Sequence, residues 1–337
     1  MVSIPHSATP ATLGGRDLVL GLDIGGTKLA AGLVDPDGRV LSLLRAPTPA
    51  ARAGWRQAVD DLFALGHRAI EMAGASQARI AAVGIGSGGP LDVAGGVVMR
   101  PPNLQAWDDV PVTSLAEAAF DRPAFLENDA NAASLATHRW GEWAGTEDLV
   151  YLTISTGIGG GALIGGRLLQ GTSGNVAEFG HTVVAWNGRE CHCGQRGCAE
   201  AYVSGTSIAR RAQEALAAGR PSALSDLAVV TAADVSRAAA DGDDLSVEIW
   251  RETTVILGAL VTSVVNVFEP RVVVLGGGVT EAGHMLIEPI RTYARAKAMS
   301  PAGRTAEVVI SGHGSAIGVL GSAAVAMTQL HIGSVSE

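Results

Sequence analysis

Cysteine is scarce in this sequence: three in 337 residues, all between Cys191 and Cys198. An odd, crowded set of thiols makes a poor disulfide framework and argues for a reducing compartment. Basic charge is scarce too. Lys and Arg total 24 against 33 Asp and Glu, leaving a net charge of −9 with no basic run. That argues against non-specific nucleic-acid binding. Membrane-length apolar runs, on the order of 18 residues, are missing. The longest candidate, Val255 to Val267, is interrupted by Gly258, Thr262, Ser263 and Asn266 and reads as a buried helix. The opening MVSIPHSATPATLGGRD has no apolar stretch of the kind a signal peptide needs. These absences lead us to expect a cytoplasmic protein with no nucleic-acid or membrane partner.

What is present suits a globular chain. Hydrophobic residues make up 47% and charged residues 17%, enough for sizeable cores, and the length suits two domains. Residues 1–16 read as a flexible leader. Strands are expected at 17–22, 29–34 and 39–44, with IGGTK and DPDG as the turns between them. Helical periodicity covers 55–74, and an apolar strand at 79–86 runs into the loop SGGP. A short helix is expected at 113–120 with Thr113 as cap, then a strand at 124–129 and a helix from about Ala130. The pattern restarts at 149–171, where strand, IGG turn, strand, Gly/Arg turn and strand repeat the order of 18–41, which suggests internal duplication. Helices at 203–218 and 245–268 follow, and then, at 271–278, a buried strand entering a glycine turn. Strands and helices alternate throughout, which is α/β organisation.

Three glycine-rich turns follow strands: Asp23-Ile-Gly-Gly-Thr-Lys28, Thr156-Gly-Ile-Gly-Gly-Gly161 and Gly276-Gly-Gly278. Glycine lets backbone N–H groups approach phosphate oxygens. Asp23 could hold Mg²⁺, which favours carboxylate and phosphate oxygens together. Each turn taken alone is an ordinary hairpin feature, but two on duplicated units suggest a nucleotide. There is no Walker A motif, and no Rossmann fingerprint in context. Glu127-Asn-Asp-Ala-Asn131 places polar groups just after a strand. An Asp there can accept a hydroxyl proton in phosphoryl transfer; a cap for the next helix is the other reading. The three cysteines could wrap one zinc ion with a fourth ligand, and His181 suits better than His192, whose place between two cysteines should turn it away. With no obvious open coordination position, that zinc would be structural.

Glu178-Phe-Gly-His181, followed by Cys-x-Cys-Gly-x-x-Gly-Cys-x-Glu200, resembles the signature of the ROK family of sugar kinases and sugar-responsive repressors. DIGGTK at 23–28, ENDAN at 127–131, STGIGGG at 155–161 and LGGGV at 275–279 fall in the family's order, so the resemblance covers about residues 17–325. It implies an actin-like, hexokinase-type (ribonuclease H-like) fold with two α/β domains, at 17–126 and 127–313, the active site in the inter-domain cleft, and a helix near 314–330 packing back on the first. It also implies Asp129 as catalytic base and Asn128, Glu178, His181 and Glu200 as sugar ligands, with Ser87, Gly88, Gly89 and Asn103 lining the sugar site. ATP and Mg²⁺ would be held by Asp23, Gly25, Gly26, Thr27 and Lys28, by Thr156, Gly157 and Gly159, and by Gly276, Gly277 and Gly278. Structural Zn²⁺ would bind His181, Cys191, Cys193 and Cys198, with His181 serving zinc and sugar through different nitrogens.

The chain departs from the family pattern in reading GSGGP where a Pro-Gly-Pro type turn is usual, and in carrying Thr137 and His138 where many relatives have Glu. The expected activity is ATP-dependent phosphorylation of the 6-hydroxyl of glucose by a homodimer or homotetramer. An N-acetylglucosamine or N-acetylmannosamine kinase is the alternative. A non-catalytic sugar-sensing repressor is disfavoured by the acidic charge and by the roughly 16 residues before the first strand, too few for a helix-turn-helix.

Overall fold

The computed structural model describes residues 17–50, 53–104 and 106–331; the leader expected at 1–16 lies outside them. The chain divides into two compact units. The first comprises the chain up to Trp140 together with Thr172–Asn175 and the segment from Ala316 onward; the second comprises Gly141–Gly171 and Val176–Ser315.

In the first unit, β1 (Leu18–Ile24), β2 (Lys28–Val34), β3 (Val40–Pro47), β4 (Ile80–Ser87) and β7 (Ala124–Asn128) form one sheet in the order β3-β2-β1-β4-β7. The β1–β2 and β2–β3 pairs are antiparallel, while β1–β4 and β4–β7 are parallel. A small ribbon, β5 (Leu91–Asp92) with β6 (Val97–Val98), follows the SGGP loop. β1 is buried on both faces, so it reads as a continuous apolar run instead of alternating. Leu18, Leu20, Leu22 and Ile24 face the core shared with α1 (Gly54–Met72) and α2 (Val112–Phe120). Val19 faces the opposite core, beneath α3 (Asp129–Trp140) and the C-terminal helix Ile317–Gln329. The period of two therefore turns Asp23 toward that helix.

The second unit repeats the plan. β8 (Leu149–Ile154), β9 (Ile158–Ile164), β10 (Arg167–Leu168), β11 (Val272–Gly276) and β12 (Glu307–Ile310) lie in the order β10-β9-β8-β11-β12. Pairing senses match those of the first sheet, antiparallel for the hairpin strands and parallel for β8–β11 and β11–β12. Its helices are α4 (Glu200–Val203), α5 (Gly205–Ala217), α6 (Ala232–Ala240), α7 (Asp244–Phe268), α8 (His284–Lys297) and α9 (Ala302–Thr305); α10 (Ile317–Gln329) closes the series in the first unit. α7 is long and apolar enough to cross a membrane, but 50% of its most apolar 18-residue stretch is buried within the protein. Leu257, Leu260, Val261 and Val264 fill the core of the second unit.

Several boundaries differ from the sequence expectation. The division falls after Trp140 and not after 126, because β7 is an integral strand of the first sheet and α3 packs against α10. The helix expected over 203–218 is two helices, broken at Ser204, whose hydroxyl accepts from the Ser207 N–H (3.2 Å) and caps α5. Thr113 caps nothing: Pro111 stands at the start of α2, and the Thr113 hydroxyl donates to the Gly96 carbonyl instead (3.4 Å). Within 271–278 the strand runs into its glycine turn as expected: β11 ends at Gly276, and Gly277 turns at φ 88°.

α10 lies unusually close to its sheet, and glycine is the reason. A Cβ on Gly84 would overlap the Ser322 carbonyl, and one on Gly21 the Val319 carbonyl. A Cβ on Gly321 would stand 2.7 Å from the Ala132 carbonyl carbon of α3. The Ser322 hydroxyl uses this proximity to donate to the Leu22 carbonyl (2.7 Å), which ties α10 to β1 one residue before Asp23.

Candidate active site and metal centre

The first unit gathers its polar residues at the carboxyl edge of the parallel strands, where α/β sheets bind ligands. Across β1, β4 and β7, Asp23 pairs with Gly86 and Gly86 with Glu127; one step further, Ile24 pairs with Ser87 and Ser87 with Asn128. Asp129 is the next residue and opens α3. The Asn128 side chain accepts from the backbone N–H of Ala130 (2.9 Å) and of Asn131 (3.2 Å), so Asn128 does the capping. Asp129 accepts from the Ala130 N–H through one oxygen (2.8 Å), which leaves acceptor capacity on its carboxylate. Glu127, which sequence reasoning quoted without a role, braces the cluster: Oε1 accepts from Asn131 Nδ2 (3.0 Å) and from the Asn128 N–H (2.9 Å). The Glu-x-x-x-Asn spacing across the strand–helix junction was the available signal.

Burial raises the proton affinity of Asp129 above the ordinary carboxylate range. Asp23 is pushed up to about 7, chiefly by burial and then by the Asp129 charge, while Lys28 and Arg45 pull it back. Arg45, which no motif flagged, is thus part of the electrostatics of the site. Gly318, in the first turn of α10, faces Asp23 so closely that a Cβ there would overlap Oδ2.

The turn after Asp23 is tight. The Gly25 N–H donates to the Lys28 carbonyl (3.0 Å), and the Thr48 hydroxyl donates to the Gly25 carbonyl (2.6 Å). A Cβ on Gly26 would stand 2.8 Å from Asn103 Cβ, so the 25–28 turn and Asn103 are neighbours. Ser87 is fully buried, Gly88 has open space around its missing Cβ, and Gly89 lies near the side chains of Asn128 and Asn175. Asn175 also escaped the sequence reading; it accepts from the Leu91 N–H and donates to the Leu91 carbonyl, both at 2.9 Å, and so fixes the chain leaving the GSGGP loop. Nothing in the structure explains Thr137 and His138; the Thr137 hydroxyl donates to the Ala133 carbonyl within α3 (2.9 Å).

In the second unit the same sheet edge carries two glycine turns. Gly276 pairs with Thr153, and a Cβ on Gly277 would overlap the Ile154 carbonyl, so the 276–278 and 154–157 turns touch. Gly278 has nothing near its missing Cβ, which leaves room for a ligand. Gly159 sits inside β9, opposite Thr153, while Thr156 and Gly157 form the turn itself.

Beside that turn stands Glu200, 5% exposed, with Oε2 accepting from the Ile158 N–H at 2.7 Å. Its Oε1 is buried without a hydrogen bond, and His192 Nε2 lies 3.2 Å away. An unsatisfied buried carboxylate oxygen is costly and calls for a donor such as a hydroxyl. Glu178 is exposed at the head of the Phe179–His181 turn.

The cysteines converge with His181 as expected. Donor atoms of His181, Cys191, Cys193 and Cys198 lie within 4.8 Å of one another. Cys193 Sγ is 3.8 Å from Cys198 Sγ, and Cys191 Sγ is 3.7 Å from His181 Nδ1. A tetrahedron with metal–sulfur bonds of about 2.3 Å has edges of about 3.8 Å, close to these two separations, so this S₃N set suits one Zn²⁺. Burial and the neighbouring thiols push Cys198 up to about 12, which keeps the thiol protonated until a cation displaces the proton. A hairpin holds the set together: Val183 bridges Cys198, the Ala199 N–H donates to the Thr182 carbonyl (3.0 Å), and the Arg189 N–H donates to the Tyr202 hydroxyl (2.7 Å). His181 also belongs to a second group, with His192 and Glu200, whose donor atoms again lie within 4.8 Å of one another.

Two sheets of identical order, each with glycine turns at its edge, are the arrangement of the actin-like fold. A sequence profile of the ROK family matches residues 19–329, and the chain belongs to that family. It is 34% identical over 317 residues to a glucokinase of Streptomyces coelicolor, covering 92% of this chain and 97% of that one. A glucokinase of Thermotoga maritima is 35% identical over 311 residues, covering 91% and 96%. Among solved structures, a ROK family glucokinase from Streptomyces griseus, in complex with glucose and AMPPNP, superposes with a TM-score of 0.78 at 36% identity, covering 91% of this chain and 98% of that one.

Proposed function

We infer that this protein is an ATP-dependent hexose kinase of the glucokinase type. The observation that carries the reading is the carboxylate pair at one sheet edge: Asp129, with spare acceptor capacity and raised proton affinity, next to Asp23 at the glycine turn. Phosphoryl transfer asks for positioning, charge neutralisation and one placed base. Asp129 takes the proton of the sugar's 6-hydroxyl as that oxygen bonds to the γ-phosphorus; the bond to the bridging oxygen breaks and ADP leaves. Lys28 and the backbone of the 25–28, 156–157 and 276–278 turns receive the phosphates, and Gly278, open on its side-chain face, leaves space for the nucleotide. Mg²⁺, which Asp23 would hold, supplies charge neutralisation on the phosphate oxygens when bound.

Asn128, Glu178, His181 and Glu200 are the residues we assign to the sugar hydroxyls, with the Ser87–Gly89 loop and Asn103 alongside. The unsatisfied Glu200 Oε1 supports this assignment, and so does His181, whose Nδ1 faces the sulfurs and leaves Nε2 for a substrate. Zn²⁺ is the metal we assign to His181, Cys191, Cys193 and Cys198, in a purely structural role.

The test is ADP release across a panel of hexoses and N-acetylhexosamines, on protein whose zinc content has been measured. Turnover should peak on glucose. A peak on an acetylated amino sugar would transfer the assignment to that substrate, and no turnover on any sugar by zinc-loaded protein would overturn the kinase reading.

A further inference from the structure

His192, between the first two cysteines, is expected to point away from a shared metal, and its ring lies against Glu200. We propose that His192 is a positioning residue for the sugar site: it holds the Glu200 carboxylate in register, so that the metal loop sets the orientation of a substrate ligand carried on α4. The proposal rests on the reading of Glu200 as a sugar ligand.

Three observations carry it. Glu200 is almost wholly buried, and its two oxygens are treated differently: Oε2 is fixed by the Ile158 N–H at 2.7 Å, while Oε1 has no aligned hydrogen bond. The group in reach of Oε1 is His192 Nε2, at 3.2 Å. His192 is itself 65% exposed in its side chain, so no packing demand explains its contact with a buried carboxylate. The backbone beside it is held at Cys191. Cys191 and Cys193 flank it, the Cys191 N–H donates to the Gln195 carbonyl (2.8 Å), and the ring stands nearly perpendicular to that of His181 (78°, centroids 5.9 Å apart).

A carboxylate oxygen has lone pairs enough for two donors. With a proton on Nε2, His192 occupies one direction at Oε1 and leaves the other for a sugar hydroxyl. Oε2 meanwhile links Glu200 to the backbone of the glycine turn, where Gly157 leaves room for it. The chain of contacts thus runs from the metal loop through His192 and Glu200 to Ile158. Without His192, the carboxylate can swing about its remaining bond, and the sugar meets a less ordered partner.

The experiment compares His192→Ala, His192→Gln and Glu200→Gln in the full chain, measuring KM for glucose and ATP, kcat and zinc per chain. His192→Ala should raise the glucose KM ~10-fold with zinc content, ATP KM and kcat little changed. Gln, which places an N–H near the same point, should restore most of the loss. An unchanged glucose KM in His192→Ala, a Gln variant as impaired as Ala, or loss of zinc in His192→Ala would each overturn the proposal. If Glu200→Gln raises the glucose KM and His192→Ala does not, only the role of His192 falls; if neither does, the sugar-ligand role of Glu200 falls as well. The contact has a readout independent of turnover. The ring ¹⁵N shifts of His192 should move in Glu200→Gln, and their constancy would refute the pairing.

Discussion

Asp23 should destabilise the ligand-free protein at neutral pH, and replacing it with Asn should show by how much. Its proton affinity is raised from the ordinary 3.8 to about 7, by burial first and by Asp129 second. A group that holds its proton more tightly when folded makes stability fall as pH rises through the interval between the two values. Below about pH 4 both states are protonated and the effect vanishes. Above about pH 7 the folded state must carry the charge, at about 1.4 kcal/mol for each of roughly three pH units, or ~4 kcal/mol. That figure is an upper one, because the amino end of α10 at Gly318 favours the anion. Asp23→Asn removes the ionisation. Its stability should match wild type at about pH 4.5 and exceed it by ~2–4 kcal/mol at about pH 8.5, measured by urea unfolding without Mg²⁺ or nucleotide. Kinase activity should be lost, since the charge that costs stability is the charge that would hold Mg²⁺. An Asn variant with the same offset at both pH values, or one less stable at the higher pH, would refute the reasoning.

Four other outcomes follow from the same geometry. Asp129→Asn should lower kcat by ~10²–10⁴-fold in a coupled ADP assay while glucose still binds. In the wild type, kcat/KM should fall on acidification at a pH above the ordinary carboxylate range, as Asp129 takes up its proton. Stripping the metal assigned to His181 and the three cysteines with a chelator should raise the glucose KM ~10–100-fold, with a smaller change for ATP, because the metal loop carries His181 and abuts Glu200, whereas its contact with the glycine turn runs through Glu200 and the Ile158 N–H; metal-free protein with an unchanged glucose KM would contradict this. Gly84→Ala should lower urea stability by ~1–3 kcal/mol, because its Cβ would overlap the rigid Ser322 carbonyl, whereas Gly278→Ala, with open space, should leave stability unchanged and raise the ATP KM.

Much of this was legible in the residues. The repeat of strand, IGG turn and strand anticipated two sheets of the same order because local hydrophobic patterning and turn chemistry fix such hairpins. The crowding of Cys191, Cys193 and Cys198 anticipated a cluster able to hold a metal, and the three do converge with His181, because a short loop can bring its own ligands together. What lay beyond the sequence depended on contacts between distant segments. The family resemblance already implied that a helix near 314–330 packs back on the first domain, but how closely it lies is decided by packing of Ser322 against Leu22 and of Gly321 against α3. The same packing moves the division of the chain past Asp129 to Trp140. The raised proton affinity of Asp23 comes first from its burial and then from Asp129, a neighbour more than a hundred positions away. The His192 contact is the sharpest case: spacing says nothing of a partner for that ring, and only the tertiary fold places a buried carboxylate beside it. Local sequence determined which turns, strands and ligand sets form; burial and long-range juxtaposition decided which charged groups face one another, because desolvation and Coulomb energy depend on distances the chain order does not contain.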